Sequence, residues 1–293
     1  MGNSVFFALS GVGLALSKSN QQLSFGVWFW RRLTRIYPSL ILVVLFFLIL
    51  LDNHWNGSFL GLVKLAIWPT QFGFITQLLV FYIPYYFVAK LDRIRLRNLV
   101  GLLFIPFGVS YLYATGFAGI AGAGEYLHPL TITNWIFYFQ MMVLGGLIAK
   151  EVKAQNPLLI NMSRNSIACP LLAGTLLAYV VTKALIVLNF LRESYFLLNM
   201  LIIPVIVALF LFSMTSSIQT LLKNKAIGNT VNLISGLTLE IYLVHACLLS
   251  YPFAESFIFP LNIIVFVTVS LVGSLLVNWL AQKAQLRLRS LTA

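Results

Sequence analysis

Residues Arg31–Leu51 read RRLTRIYPSLILVVLFFLILL. Three arginines stand at the mouth of an apolar run that meets no charge until Asp52. A helix needs about 20 predominantly apolar residues to cross the hydrocarbon core. The run from Ile36 reaches that length once Trp28 to Arg35 extend it through the interface. The stretch therefore reads as a membrane-spanning helix with a cationic threshold. Those arginines serve either as an electrostatic anchor or as a binding site for a phosphate-bearing ligand.

The rest of the chain agrees with a membrane fold. Of 293 residues, 60% are hydrophobic and 9% charged, and the mean hydropathy is +0.94. So few charges cannot cover a water-facing surface. The apolar runs are continuous and lack the period-2 alternation of a membrane β-barrel. We therefore expect an all-α polytopic membrane bundle forming a single domain over residues 1–293, with no linker and no low-complexity stretch. Its partner is the lipid bilayer. The net charge of +12 is read as loop charge that sets orientation, and no nucleic-acid partner is expected. Cys169 and Cys247 lie in apolar segments, without zinc-ligand or disulfide spacing, and read as packing residues. No metal is expected.

About nine spans are expected, at residues 4–17, 36–51, 71–90, 98–115, 132–149, 167–190, 196–214, 233–253 and 258–282. Residues 59–69 are apolar but too short to cross. They read as a lead-in to the third span or as an interfacial helix. Every second connection is basic. Lys18, Arg31, Arg32 and Arg35 share one, and Lys90, Arg93, Arg95 and Arg97 the next. Lys150, Lys153 and Arg164 follow, then Lys223 and Lys225, then Lys283, Arg287 and Arg289 in the tail. Only Lys64, Lys183 and Arg192 lie elsewhere. The positive-inside rule puts the basic connections and the C-terminus in the cytoplasm, with the protein multi-pass in the cell (inner or plasma) membrane. That leaves Gly2 on the outer side of a short first span with no signal peptide before it. The expectation is that one further transmembrane helix precedes Met1; the alternative is a short but genuine first helix with its N-terminus outside.

Several stretches resemble the acyltransferase 3 family of membrane-bound enzymes. FFALSG (Phe6–Gly11) is similar to the family's F-F-x-L-S-G-F, with Val12 at the last position. RRLTRIYP (Arg31–Pro38) is similar to R-x-x-R-I-x-P. FGFITQLLVFYIPYY (Phe72–Tyr86) resembles W-F-I-S followed by Q-F-Y-L-x-P, with Gly73 and Val80 at the Trp and Gln positions. FYFQMMVLGGLIAK (Phe137–Lys150) resembles F-x-x-G-M-L-x-A-R. LTLEIYLVHACLL (Leu237–Leu249) resembles S-Y-x-I-Y-L-x-H-x-P, with Cys247 at the Pro. The resemblance implies a bundle of about ten helices with both ends cytoplasmic. It also implies transfer of an acyl group, often acetyl, from acyl-coenzyme A to sugars and other envelope components. Acyl-coenzyme A would be a co-substrate. The family's first helix carries an Arg and an essential His, which the resemblance would place on the helix expected before Met1.

Within that frame Arg32 and Arg35, at i and i+3, share a helical face, while Arg31 points about 100° from Arg32. Guanidinium groups bind phosphate oxygens bidentately, and the resemblance assigns Arg32 and Arg35 to the coenzyme A phosphates. Arg31 keeps the anchor reading. Ser10 and Gly11 are small residues suited to close helix contact, and the resemblance adds a place near the donor channel. His245 lies within an apolar run, where an ionisable residue is costly and is paired or functional. It reads as a hydrogen-bonded structural histidine, or as a general base for a hydroxyl acceptor. Glu240 and Tyr242 carry the same pair of readings, structural or substrate-orienting. Glu240 and His245 are roughly 140° apart on a helix and are not expected to pair. His54 and His128-Pro129 near Glu125 lie in outer connections, as does the glycine-rich GFAGIAGAGEY (Gly116–Tyr126), which reads as a flexible approach for an acceptor.

The expected activity is transfer of an acyl group, acetyl first, from acyl-coenzyme A to a hydroxyl of an envelope sugar, polysaccharide or lipid-linked precursor. Two rivals stand beside it. One is a transporter or flippase for a glycan or small molecule, which predicts intramembrane charge pairs and broken helices in matching halves. The other is a catalytically inactive remnant of the acyltransferase.

Overall fold

The structure, a computed structural model, describes residues 2–17, 23–49, 73–114, 132–188, 190, 195–249 and 257–292. No strand occurs among them. In chain order the helices are α1 (Gly2–Leu16), α2 (Phe25–Val43, continuing as a π-helix over Val44–Ile49), α3 (Gly73–Val88), α4 (Arg93–Leu102) and α5 (Phe104–Ala114). There follow α6 (Ile132–Lys153), α7 (Pro157–Met162), α8 (Asn165–Val187) and α9 (Tyr195–Ser213). The last four are α10 (Ser216–Lys223), α11 (Lys225–Gly236), α12 (Thr238–Leu248) and α13 (Leu261–Thr292).

By length and hydropathy, four stretches of the described residues are able to cross a membrane: Arg93–Tyr113, Ile132–Lys153, Asn165–Val187 and Leu261–Gln285. Two bent pairs raise the number to six if each counts as one span. The apolar helices Asn3–Leu16 and Gly73–Val88 are shorter. The outward faces fit lipid. α8 buries only Ala168 and Ile186, and it exposes Leu177, Val180 and Val187. α13 turns Ile263, Ile264 and Leu276 outward. Apolar surface on this scale is stable against acyl chains and not against water. The protein is a polytopic helical membrane protein. Residues 59–69, His54, Glu125, His128 and the glycine-rich stretch lie outside the described residues.

Two compact units make up the chain: Met1–Leu23 with Gln77–Asn224, and Ser24–Thr76 with Lys225–Ala293. The first is built round α6, whose buried residues include Phe137, Gln140, Met141, Met142 and Val143. A helix apolar on every side belongs in the middle of a bundle. α1 crosses it so closely that a Cβ at Gly11 would overlap the Met142 carbonyl oxygen, and one at Gly145 the Ala8 carbonyl oxygen. Glycine is required at both positions because the obstacle is backbone. Tyr85, 1% exposed, donates its hydroxyl to the Gly11 carbonyl at 2.8 Å. Aromatic packing extends this node. Phe7 lies 5.2 Å from Phe81 and 5.3 Å from Tyr138, ring centre to ring centre. Phe107 lies 5.2 Å from Phe137.

The basic end of this unit is tied by hydrogen bonds. Lys150, in the last turn of α6, donates its ammonium to the Ala89 carbonyl at 2.8 Å and to the Leu91 carbonyl. It thereby satisfies orphan acceptors just past the C-terminus of α3. Asp92 caps α4 by accepting from the Arg95 amide at 2.8 Å. Arg93 and Glu151 approach to 3.5 Å. In the second unit α2 packs on α12 and α13. Val244 of α12 sits where a Cβ on Gly273 of α13 would meet it at 3.1 Å.

The expected span 233–253 is not one straight helix. α11 and α12 meet at Leu237 with a bend of 62°. α11 buries none of its residues, whereas α12 buries Glu240, Leu243, Val244, Cys247 and Leu248. The change of environment falls at Gly236-Leu237, and Gly is the residue that tolerates such a break.

Candidate functional site

The candidate residues of the second unit are set by how α2 faces its neighbours. With 100° per residue, Trp28, Arg32, Ile36, Ser39 and Val43 fall within a stripe about 80° wide. Trp28, Ile36, Ser39 and Val43 are buried. Arg32 lies in the middle of that stripe and is half-buried. Its Cζ is 5.6 Å from the centre of the Trp28 ring, within range of a cation–π attraction. Its Nε is fully buried. Arg35 falls at the edge of the stripe and is exposed, as is Arg31. The structure thus groups the arginines differently from a bare i, i+3 count. Arg31 and Arg35, one turn apart, form the outer pair, and Arg32 alone turns into the packed interior.

Seven residues beyond Arg32 on the same stripe, Ser39 is 1% exposed. Its Oγ donates to Oε1 of Glu240 at 2.6 Å. Glu240 is 6% exposed, and its second oxygen, Oε2, is buried with no hydrogen-bond partner among the described residues. Tyr242 is half-buried, its ring 4.6 Å from that of Phe74. His245, also half-buried, meets Phe266 of α13 edge-on at 5.4 Å. Glu240 and His245 do not pair: the carboxyl goes to α2 and the imidazole to α13.

Ser10 and Gly11 belong to the first unit. Gly11 is the crossing point of α1 and α6 described above, which is the close-contact role expected of a small residue. Ser10 is half-buried beside it. Among the described residues no three His, Cys, Asp or Glu side chains gather as a metal site. Ser39, which partners the candidate Glu240, is a residue that sequence reasoning passed over. Its signal was present: it is the one hydroxyl after Pro38 in an otherwise apolar run, on the Arg32 face.

An anionic ligand would meet Arg32 held by an aromatic ring, with Arg31 and Arg35 beside it. Farther along the same stripe, a hydrogen-bonding group would meet a buried carboxyl. The family model described as an acyltransferase domain (acyltransferase 3) matches residues 1–282. The chain belongs to the acyltransferase 3 family. No curated protein and no solved structure matches it significantly. As a member of this family it is a membrane acyltransferase, and its polytopic helical fold suits acyl transfer at a bilayer.

Proposed function

We propose that this acyltransferase moves an acyl group, acetyl in the first instance, from acyl-coenzyme A to a hydroxyl of an envelope sugar, polysaccharide or lipid-linked precursor. The basic connections and the C-terminus face the cytoplasm, where acyl-coenzyme A is found. Arg32 and Arg35 take the phosphates of the donor. The observation that carries the donor reading is Arg32: a guanidinium half-buried against Trp28 at the threshold of an apolar helix. A mere anchor has no reason to lose hydration, whereas a phosphate ligand gains from a pre-oriented fork.

In the reaction the acceptor hydroxyl attacks the thioester carbonyl. The tetrahedral intermediate collapses with loss of the coenzyme A thiolate, and the hydroxyl proton passes through a base to the leaving sulfur. His245, whose ring meets Phe266 edge-on, is a candidate for that base, with Tyr242 and Glu240 as orienting groups. The transporter reading gains nothing specific. The bent pairs α9–α10 and α11–α12 follow one another in sequence, not at corresponding positions of two halves.

The test uses membranes containing the protein and labelled acetyl-coenzyme A. Label should pass to endogenous glycan or glycolipid, and an Arg32→Ala, Arg35→Ala double variant should lose donor affinity by roughly a hundredfold or more, as for two charge-assisted contacts. A double variant with wild-type affinity would overturn the phosphate site. No coenzyme A binding and no transfer would point to an inactive remnant.

A further inference from the structure

Glu240 is the only carboxylate among the buried polar groups of the described residues. Ser39 accounts for one of its oxygens at 2.6 Å, and the other is buried with no partner among those residues. Native structures rarely leave such an atom orphaned, and one that persists calls for a specific explanation. In a membrane helix the cost is higher still. Structural service alone does not explain the geometry. A buried carboxyl kept for helix association would gain by satisfying both oxygens.

The position of the pair narrows what it binds. Ser39 lies four residues beyond Arg35 and seven beyond Arg32 on α2, about 6 and 10 Å along the axis, and it shares the Arg32 stripe. The pair therefore lies within about 10 Å, along the helix axis, of phosphates bound at those arginines. An ionised phosphate is a poor partner for Glu240, because it brings acceptors and like charge to the carboxylate. In a donor already held by its phosphates, the polar groups left to meet Oε2 are neutral, the amides of the arm among them. An amide meets Oε2 in either protonation state, its N–H to a carboxylate or its C=O to a protonated carboxyl.

We propose that Ser39 and Glu240 form an amide-binding station for the carrier arm of the acyl donor, with Ser39 fixing the carboxyl through Oε1 and Oε2 pairing with an amide of the pantetheine chain. This assignment rests on the donor reading of Arg32 and Arg35 and extends it from the phosphates to the arm.

The experiment measures binding to the full chain in lipid nanodiscs, with two probes. Coenzyme A has both phosphates and arm; 3′,5′-ADP has phosphates without the arm. Glu240→Leu should weaken coenzyme A binding roughly tenfold, the loss of one hydrogen bond to a charged or strongly polar group, and leave 3′,5′-ADP binding unchanged. Glu240→Gln keeps an amide-pairing terminus and should recover most of the lost affinity. Ser39→Ala should weaken coenzyme A in the same selective way, by less, and serves where Glu240→Leu does not fold. Wild-type coenzyme A affinity in Glu240→Leu or Ser39→Ala would overturn the station while leaving the phosphate site intact. An equal loss of both probes would also overturn it, since that marks a structural role. Failure of the wild-type protein to bind either probe would overturn the donor reading and the station with it.

Discussion

At the scale of single residues, the tightest constraint is the absence of a side chain. Gly11 and Gly145 let the backbones of α1 and α6 touch, and the atoms that a Cβ would strike are carbonyl oxygens that cannot rotate away. Gly11→Ala should therefore destabilise the protein by about 1–3 kcal/mol or more, read as a fall in thermal midpoint in detergent. Gly13 is the internal control, because nothing lies within 4 Å of its Cβ position. Gly13→Ala should be neutral or stabilising by about 0.5–1 kcal/mol, since only helix propensity changes. Equal midpoints for the two variants would show that the crossing is not tight. Gln155 offers a gain instead. Its φ of 51° places it in the left-handed region just past α6, where Gly costs least. Gln155→Gly should raise the thermal midpoint.

At the scale of elements, helix ends matter more than helix middles. The C-terminus of α3 is finished by a side chain from α6, Lys150, which reaches the carbonyls of Ala89 and Leu91. A cation there also complements the helix dipole. Lys150→Met keeps the stem and removes the donors. It should cost about 1–3 kcal/mol and speed amide hydrogen exchange in residues 85–91 ahead of the rest of α3. Unchanged exchange would assign the end of α3 to packing alone. The helices themselves were readable from runs of apolar residues, because hydropathy is local. The break at Leu237 was not. A window drawn over 233–253 averages the exposed α11 with the buried α12, and only Gly236 marks the boundary. Likewise the i, i+3 spacing of Arg32 and Arg35 said that they are neighbours. It could not say that the edge of the packed stripe runs between them, which Trp28 and Ser39 decide.

At the scale of the whole molecule, the orientation proposed from loop charge has a direct check. A single cysteine at Gln155, in a chain whose Cys169 and Cys247 are replaced, should react with a membrane-impermeant maleimide only from the cytoplasmic side. Labelling from outside would invert the topology and remove Arg32 from the compartment that holds acyl-coenzyme A. Acyl transfer from labelled acetyl-coenzyme A then tests the same orientation through function.

Membrane residence, helical class and family were written in the sequence by itself. Each depends on composition or on motifs whose residues lie close along the chain, and burial in lipid rewards every apolar residue independently of its neighbours. Pairing between distant residues depends instead on helix crossings. Ser39 and Glu240 are 201 positions apart. The meeting of Tyr85 with Gly11 spans 74 positions. Which face of α2 looks inward, which oxygen of Glu240 is satisfied and which is left waiting follow from how α2, α12 and α13 pack. Only the tertiary structure decided them, because side-chain hydrogen bonds act over about 3 Å and no local pattern encodes that distance between helices.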